Sequence, residues 1–196
     1  MLMEKNNVKF DRKNLEIIRM YCENPDVSQE EIAKKHGMSQ PTVALRVKRL
    51  KNLGVLAVNI GLDVFKAGLH VAKVDITATN TAKILKMFQG CPYYLNGFVT
   101  SGKNNLCLFF VAENIATLES IIDYHLRASD TVQNVEFNIV IEATNSLIMP
   151  LKSFQQSDSP PCGSSIKCRN CSSFTEGRCL GCPIINQYGG WLWSAD

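Results

Sequence analysis

Five of the eight cysteines in this chain fall between Cys162 and Cys182. Cys168-x-x-Cys171 and Cys179-x-x-Cys182 form two pairs seven residues apart, and Cys162 lies ahead of the first pair. Two intervening residues let one turn present both sulfurs to a single centre, so doubled pairs point to metal ligation before disulfides. The choice of metal stays open. A tetrahedral zinc takes four thiolates from two such knuckles, although the pairs of zinc ribbons are usually spaced further apart. A 4Fe-4S cluster also takes four thiolates, and Gly181-Cys182-Pro183 resembles the Cys-Pro ending of ferredoxin runs, which makes the cluster the preferred expectation. Cys162 is a fifth ligand, an exchange partner or a bystander.

A second group of residues suits a polyanion. The net charge of +3 is small, but residues 1–60 hold 11 Lys+Arg against 7 Asp+Glu, whereas residues 61–150 hold 6 against 8. The basic excess therefore sits at the N-terminal end, as expected of a part that meets phosphate. The segment from Gln40 to Asn52 reads as a helix with Val43, Val47 and Leu50 inward, and with Gln40, Thr42, Ala44, Arg46, Lys48 and Arg49 outward. Gln40 and Thr42, in the first turn after Ser39, suit base edges. Arg46, Lys48, Arg49 and Lys51 suit phosphates. No catalytic pair, nucleophile with its base or phosphate-binding glycine loop stands out, so an enzyme is not expected.

These groups need elements to position them. Asp11 caps a first helix whose apolar residues Leu15, Ile18, Met20 and Cys22 run to Asn24-Pro25. Ser28 and Glu31 form a capping box ahead of Ile32 and Ala33, and His36-Gly37 closes that helix. Ser39 then caps the basic helix, with Pro41 in its first turn. This is the layout of a helix-turn-helix, whose second helix lies in the DNA major groove.

From Leu69 to Ala143 strand and helix signals alternate as β-α-β-β-α-β: strands over 69–77, 95–99, 106–111 and 132–141, helices over 82–88 and 115–126. That order predicts a ferredoxin-like sheet with both helices on one face, and an α+β protein. Residues 146–161, rich in Ser, Gln and Pro, read as a linker. The segment 162–196 is too poor in apolar residues to fold on a core of its own and needs a metal staple. Its closing aromatics, Tyr188 to Trp193, read as packing. Cys22, Cys91 and Cys107 read as small core residues, and His36, His70 and His125 as structural or exposed. No apolar run reaches bilayer length and the start is polar, so a cytoplasmic protein is expected, with no membrane partner.

The run from Val27 to Ala33, followed by Gly37-Met38-Ser39-Gln40-Pro41-Thr42-Val43 and by Arg46 to Leu56, resembles the leucine-responsive regulator (Lrp/AsnC) family. The resemblance covers residues 8–145. It implies a helix-turn-helix domain over 8–60, a ferredoxin-like dimerisation and effector domain over 66–145, and a transcription regulator of double-stranded DNA. The assembly it implies is a homodimer or a larger even-numbered oligomer. In that family the effector pocket involves the loop after the second strand of the sheet domain. Gly102 and Asn104 are the matching candidates here, although Lys103-Asn104-Asn105 brings no Asp. Some proteins similar to the family are haem-precursor decarboxylases, which is the rival from another class. The combined expectation is a dimeric regulator whose cysteine-held metal reports redox state, oxygen or metal supply.

Overall fold

A computed structural model describes residues 10–151, 153–163 and 168–194. The expected domain start at residue 8 and the last two residues of the cysteine segment lie outside them. The chain divides into two compact units, 1–59 and 60–196.

The first unit is built from three capped helices. α1 (Arg12–Glu23) starts at Asp11, whose carboxylate accepts from Asn14 N at 2.7 Å. α2 (Gln29–Lys35) starts at Ser28, whose Oγ accepts from Glu31 N at 3.1 Å. Each side-chain cap satisfies an amide that has no partner inside its helix. Gly37, with φ +59, makes the turn into α3 (Gln40–Asn52), a conformation that disfavours any side chain with a Cβ. Ile17, Met20, Ile32, Val43, Val47 and Leu50 close the core.

The register of α1 differs from the sequence reading. Ile17 and Met20 are the buried residues, whereas Leu15 is 42% exposed and Cys22 is also exposed. The cause is the contact of α1 with the other helices. His36, at the end of α2, touches Met20 Sδ at 3.1 Å and Glu16 at 3.2 Å, and Ile17 packs with Ile32, Val43, Val47 and Leu50.

The second unit contains a four-stranded antiparallel sheet. β2 (His70–Ala78), β3 (Tyr94–Val99), β4 (Leu106–Ala112) and β5 (Val132–Val140) lie in the order β3-β4-β2-β5. With α4 (Thr81–Phe88) and α5 (Ile115–Ile122) between strands, this is the expected ferredoxin-like arrangement. Residues two apart share a face, so Ala72, Val74 and Ile76 of β2 join Leu106, Leu108 and Phe110 of β4 under the helices.

Two features depart from expectation. Ile148–Met149 is not linker but a strand, β6, paired with β1 (Leu62–Asp63), and Met149 is buried. The helix expected over 115–126 ends as α at Ile122 and continues as a wider π turn over Asp123–Arg127, where Ala128 N donates to Asp123 O. Such single widened turns redirect side chains and cluster at functional sites.

Candidate functional site

The outward face of α3 is the candidate nucleic-acid interface. Ser39 is its N-cap: its Oγ accepts from Thr42 N at 3.4 Å and lies 2.8 Å from Thr42 Oγ1. Gln40, Thr42, Lys48, Arg49 and Lys51 are all exposed. Arg46 is used differently. Its Nη1 donates to Asp11 Oδ2 at 2.6 Å and to Asn14 Oδ1 at 2.8 Å, tying α3 to the first turn of α1. The Arg46 guanidinium in turn holds the Asp11 carboxyl below its ordinary range, with help from the Asn14 amide. The sequence reading missed Leu45, which is 70% exposed midway along the same face. Its signal was the helical phase itself: a residue flanked by Val43 and Val47 points away from the core.

The cysteines meet in the second unit. A cavity of about 90 Å³ is lined by Cys162, Cys168, Cys171, Cys179 and Cys182 on one side. The sheet unit closes the other with Phe88, Cys91, Tyr93, Ile121, Tyr124 and His125. Short helical turns present the two pairs. Cys168 opens the 3-10 turn Cys168–Asn170, Cys171 precedes α6 (Ser172–Thr175), and Cys182 precedes the turn Pro183–Ile185. Gly181, with φ +83, admits no other residue, because an added Cβ would stand 1.7 Å from Gln187 O. Among the described residues, no three His, Cys, Asp or Glu side chains are gathered as a ready single-ion site. The thiols surround a space instead.

One backbone amide faces these sulfurs: Gly181 N lies 3.4 Å from Cys179 Sγ. Burial pushes the thiols of Cys168, Cys179 and Cys182 up, and nearby backbone amides oppose it only in part. What fits a thiolate-held centre is the gathering of five cysteines in one mostly apolar cavity lining.

The sheet unit grips this segment at several points. Leu180 N donates to Thr117 Oγ1 at 2.9 Å, and Tyr93 Oη donates to Gly181 O at 2.5 Å. Glu113 Oε1 accepts from Tyr188 Oη and, at 3.1 Å each, from Trp191 N and Leu192 N. Trp193 packs edge-on against Tyr93 and Tyr188. The cysteine segment thus shares the sheet unit's core rather than standing alone beyond a linker. The linker itself is tied in, since Ser157 N donates to Ile184 O at 2.9 Å.

His125, read as structural or exposed from sequence, lies in the cavity wall on the π turn. Its Nδ1 donates to Ile121 O at 2.9 Å, which leaves Nε2 facing Cys162 Sγ at 3.0 Å. Burial lowers the His125 pKa, and the Cys162 contact with the Ile121 bond outweighs it, so the net shift is upward. Burial pushes the Cys91 thiol up to about 12. Gly102 is exposed in the β3-β4 hairpin, and Asn104 Oδ1 accepts from Thr77 Oγ1 at 3.0 Å, so the hairpin is braced to β2.

Residues 10–57 match the family described as winged helix-turn-helix DNA-binding. Over 148 residues the chain is 22% identical to the regulatory protein AsnC of Haemophilus influenzae, covering 73% of this chain and 97% of that protein. Over 142 residues it is 24% identical to the leucine-responsive regulatory protein of Rhizobium meliloti, covering 68% and 90%. The structure of E. coli AsnC superposes with a TM-score of 0.61 at 18% identity, covering 72% of this chain and 98% of that one. The chain shares the fold of AsnC, and residues 10–57 carry a winged helix-turn-helix of the DNA-binding kind. The relatives bear the names of regulators, not of enzymes. About a quarter of this chain lies outside the match to AsnC, a share comparable in size to the segment from residue 146 onward. Among the described residues, no helix is long and apolar enough to cross a membrane.

Proposed function

We propose that this chain regulates transcription as a dimer, and that its cysteine segment holds an iron-sulfur centre whose state changes DNA affinity. The observation behind the second part is the five thiols lining one cavity, with the Gly181 amide aimed at the Cys179 sulfur. A tetrahedral zinc would need its four sulfurs within ~3.8 Å of one another, from Zn–S bonds of ~2.3 Å. A polynuclear centre suits thiols spread around a cavity.

Cys168, Cys171, Cys179 and Cys182 are the proposed ligands, and Cys162 stays with His125 at the rim. When bound, such a centre supplies a reversible one-electron change. The residues of this chain do the rest. Phe88, Ile121 and Tyr93 shield the cavity, and Glu113 holds the closing segment against the sheet. On α3, Gln40, Thr42 and Leu45 face base edges, with Leu45 suited to a thymine methyl. Lys48, Arg49 and Lys51 meet phosphates. Dimerisation is assigned to the sheet face opposite the helices, where the half-exposed Phe98 packs edge-on against Phe109.

The test is oxygen-free purification followed by iron, sulfide and zinc analysis and a visible spectrum. The proposal expects brown protein with iron and sulfide in equal amounts. Colourless protein with one zinc per chain would replace the sensor with a structural zinc module, and metal-free protein with all thiols intact would remove the centre altogether.

A further inference from the structure

The second cysteine pair is held from outside the cysteine segment. Between Cys179 and Cys182 lie Leu180 and Gly181, and all four of their backbone N–H and C=O groups have partners, Leu180 C=O accepting from Gly189 N. Leu180 N–H goes to Thr117 Oγ1, Gly181 C=O receives Tyr93 Oη, and Gly181 N–H points at Cys179 Sγ. The threonine hydroxyl therefore accepts from the backbone of the pair, next to its first sulfur. Both side chains are deeply buried: Thr117 is 0% and Tyr93 3% exposed. A buried threonine hydroxyl left without partners would be costly, so its partners fix the segment as firmly as it fixes them.

We infer that Thr117 on α5 and Tyr93 before β3 are positioning residues for a metal centre at Cys179 and Cys182, which makes that centre part of the sheet unit. The inference rests on the metal-binding reading above. The Thr117 bond fixes the Cys179–Leu180 peptide and the Tyr93 bond the Gly181–Cys182 peptide, and the Leu180–Gly181 peptide held between them aims its amide at Cys179 Sγ. Hydrogen bonds to ligating sulfur favour the more electron-rich, reduced state of an iron-sulfur centre. Loss of the Thr117 hydroxyl frees the peptide before the Gly181 amide, and loss of the Tyr93 hydroxyl frees the peptide after it. Either change weakens the bond from Gly181 N–H to sulfur. The metal and the regulatory sheet are then linked in both directions, because anything that moves the start of α5 moves Leu180.

The experiment uses the full chain, purified without oxygen, as wild type, Thr117→Val, Thr117→Ser and Tyr93→Phe. Three quantities are read: metal content, the half-life of bound metal against excess chelator, and the reduction potential. Melting of each metal-free protein serves as a control for folding. Outer-sphere partners of metal ligands usually matter ~10–100-fold in affinity. Thr117→Val and Tyr93→Phe are expected to lose metal at least ~10-fold faster, and to shift the potential to more negative values. Thr117→Ser, which keeps the hydroxyl, should behave like wild type. Equal half-lives and potentials across the four proteins would overturn the inference while leaving metal binding intact. A wild-type chain that binds no metal would take down the metal-binding reading itself, and this inference with it. If Thr117→Ser fails as Thr117→Val does, the hydroxyl is not what acts, and the inference is again overturned.

Discussion

Three basic residues of α3 separate into two roles, and replacing each by alanine tells the roles apart. Lys48 and Arg49 are exposed, free to meet phosphate. Arg46 is 28% exposed and bound to Asp11 and Asn14. A phosphate contact lowers the slope of log affinity against log salt by ~0.9. Between 50 and 200 mM salt that slope amounts to ~3.5-fold per reading head and ~12-fold for two heads. Lys48→Ala and Arg49→Ala should each flatten the slope by that amount without changing the melting temperature. Arg46→Ala should leave the slope near wild type. It removes a partly exposed ion pair and a second hydrogen bond that tie α3 to α1, so the first unit should melt at a lower temperature than wild type. Fluorescence anisotropy on a labelled duplex gives the slopes, and circular dichroism gives the melts. An Arg46→Ala protein that flattens the slope like the others and melts as wild type does would refute this division of roles. So would Lys48→Ala and Arg49→Ala proteins with an untouched slope.

Three further outcomes follow from the same structure. Asp11 has its carboxyl lowered from an ordinary 3.8 by Arg46, so the ion pair stabilises the first unit above that pH and is lost as pH falls through the lower folded value. Asp11→Asn keeps a capping oxygen, and its stability deficit in a urea melt should therefore be present at neutral pH and vanish in acid; a deficit independent of pH would contradict the pairing. Gly181→Ala places a Cβ against Gln187 O and Phe174 in a left-handed conformation that itself costs ~1–2 kcal/mol. Metal content should collapse while the DNA-binding unit melts unchanged, and full metal content would show the turn is not as drawn. In native metal-free protein a maleimide should label Cys22 well before Cys107, which is only 8% exposed; mass mapping of the first labelled peptide decides this.

Local signals were legible in the sequence and long-range ones were not. Asp11, Ser28 and Ser39 announce helix starts because a cap needs only a side chain and an amide three residues on. The order of strands and helices was legible for the same reason, since the two-residue and 3.6-residue periods are written locally. The phase of α1 is not set by composition, because Leu15 and Ile17 are equally apolar and packing against α2 and α3 selects between them. β1 and β6 are two residues each, too short for any period to show. The cysteine spacing announced a metal site but not its walls. Tyr93, Thr117 and His125 reach that site across separations of 88, 63 and 37 residues. Nothing in their own neighbourhoods marks them. Thr117 in particular reads as an ordinary helix position until the segment arriving at Leu180 is seen to use its hydroxyl.

The most direct measurement compares the affinity of metal-loaded and metal-stripped full-length protein for one duplex, selected from a random pool, at a single fixed salt concentration. A regulator whose cysteine centre is coupled to its reading heads should show a difference of ~5–150-fold between the two states. Identical affinities, with both forms folded and the duplex bound, would contradict the coupling and leave the cysteine segment a structural clasp.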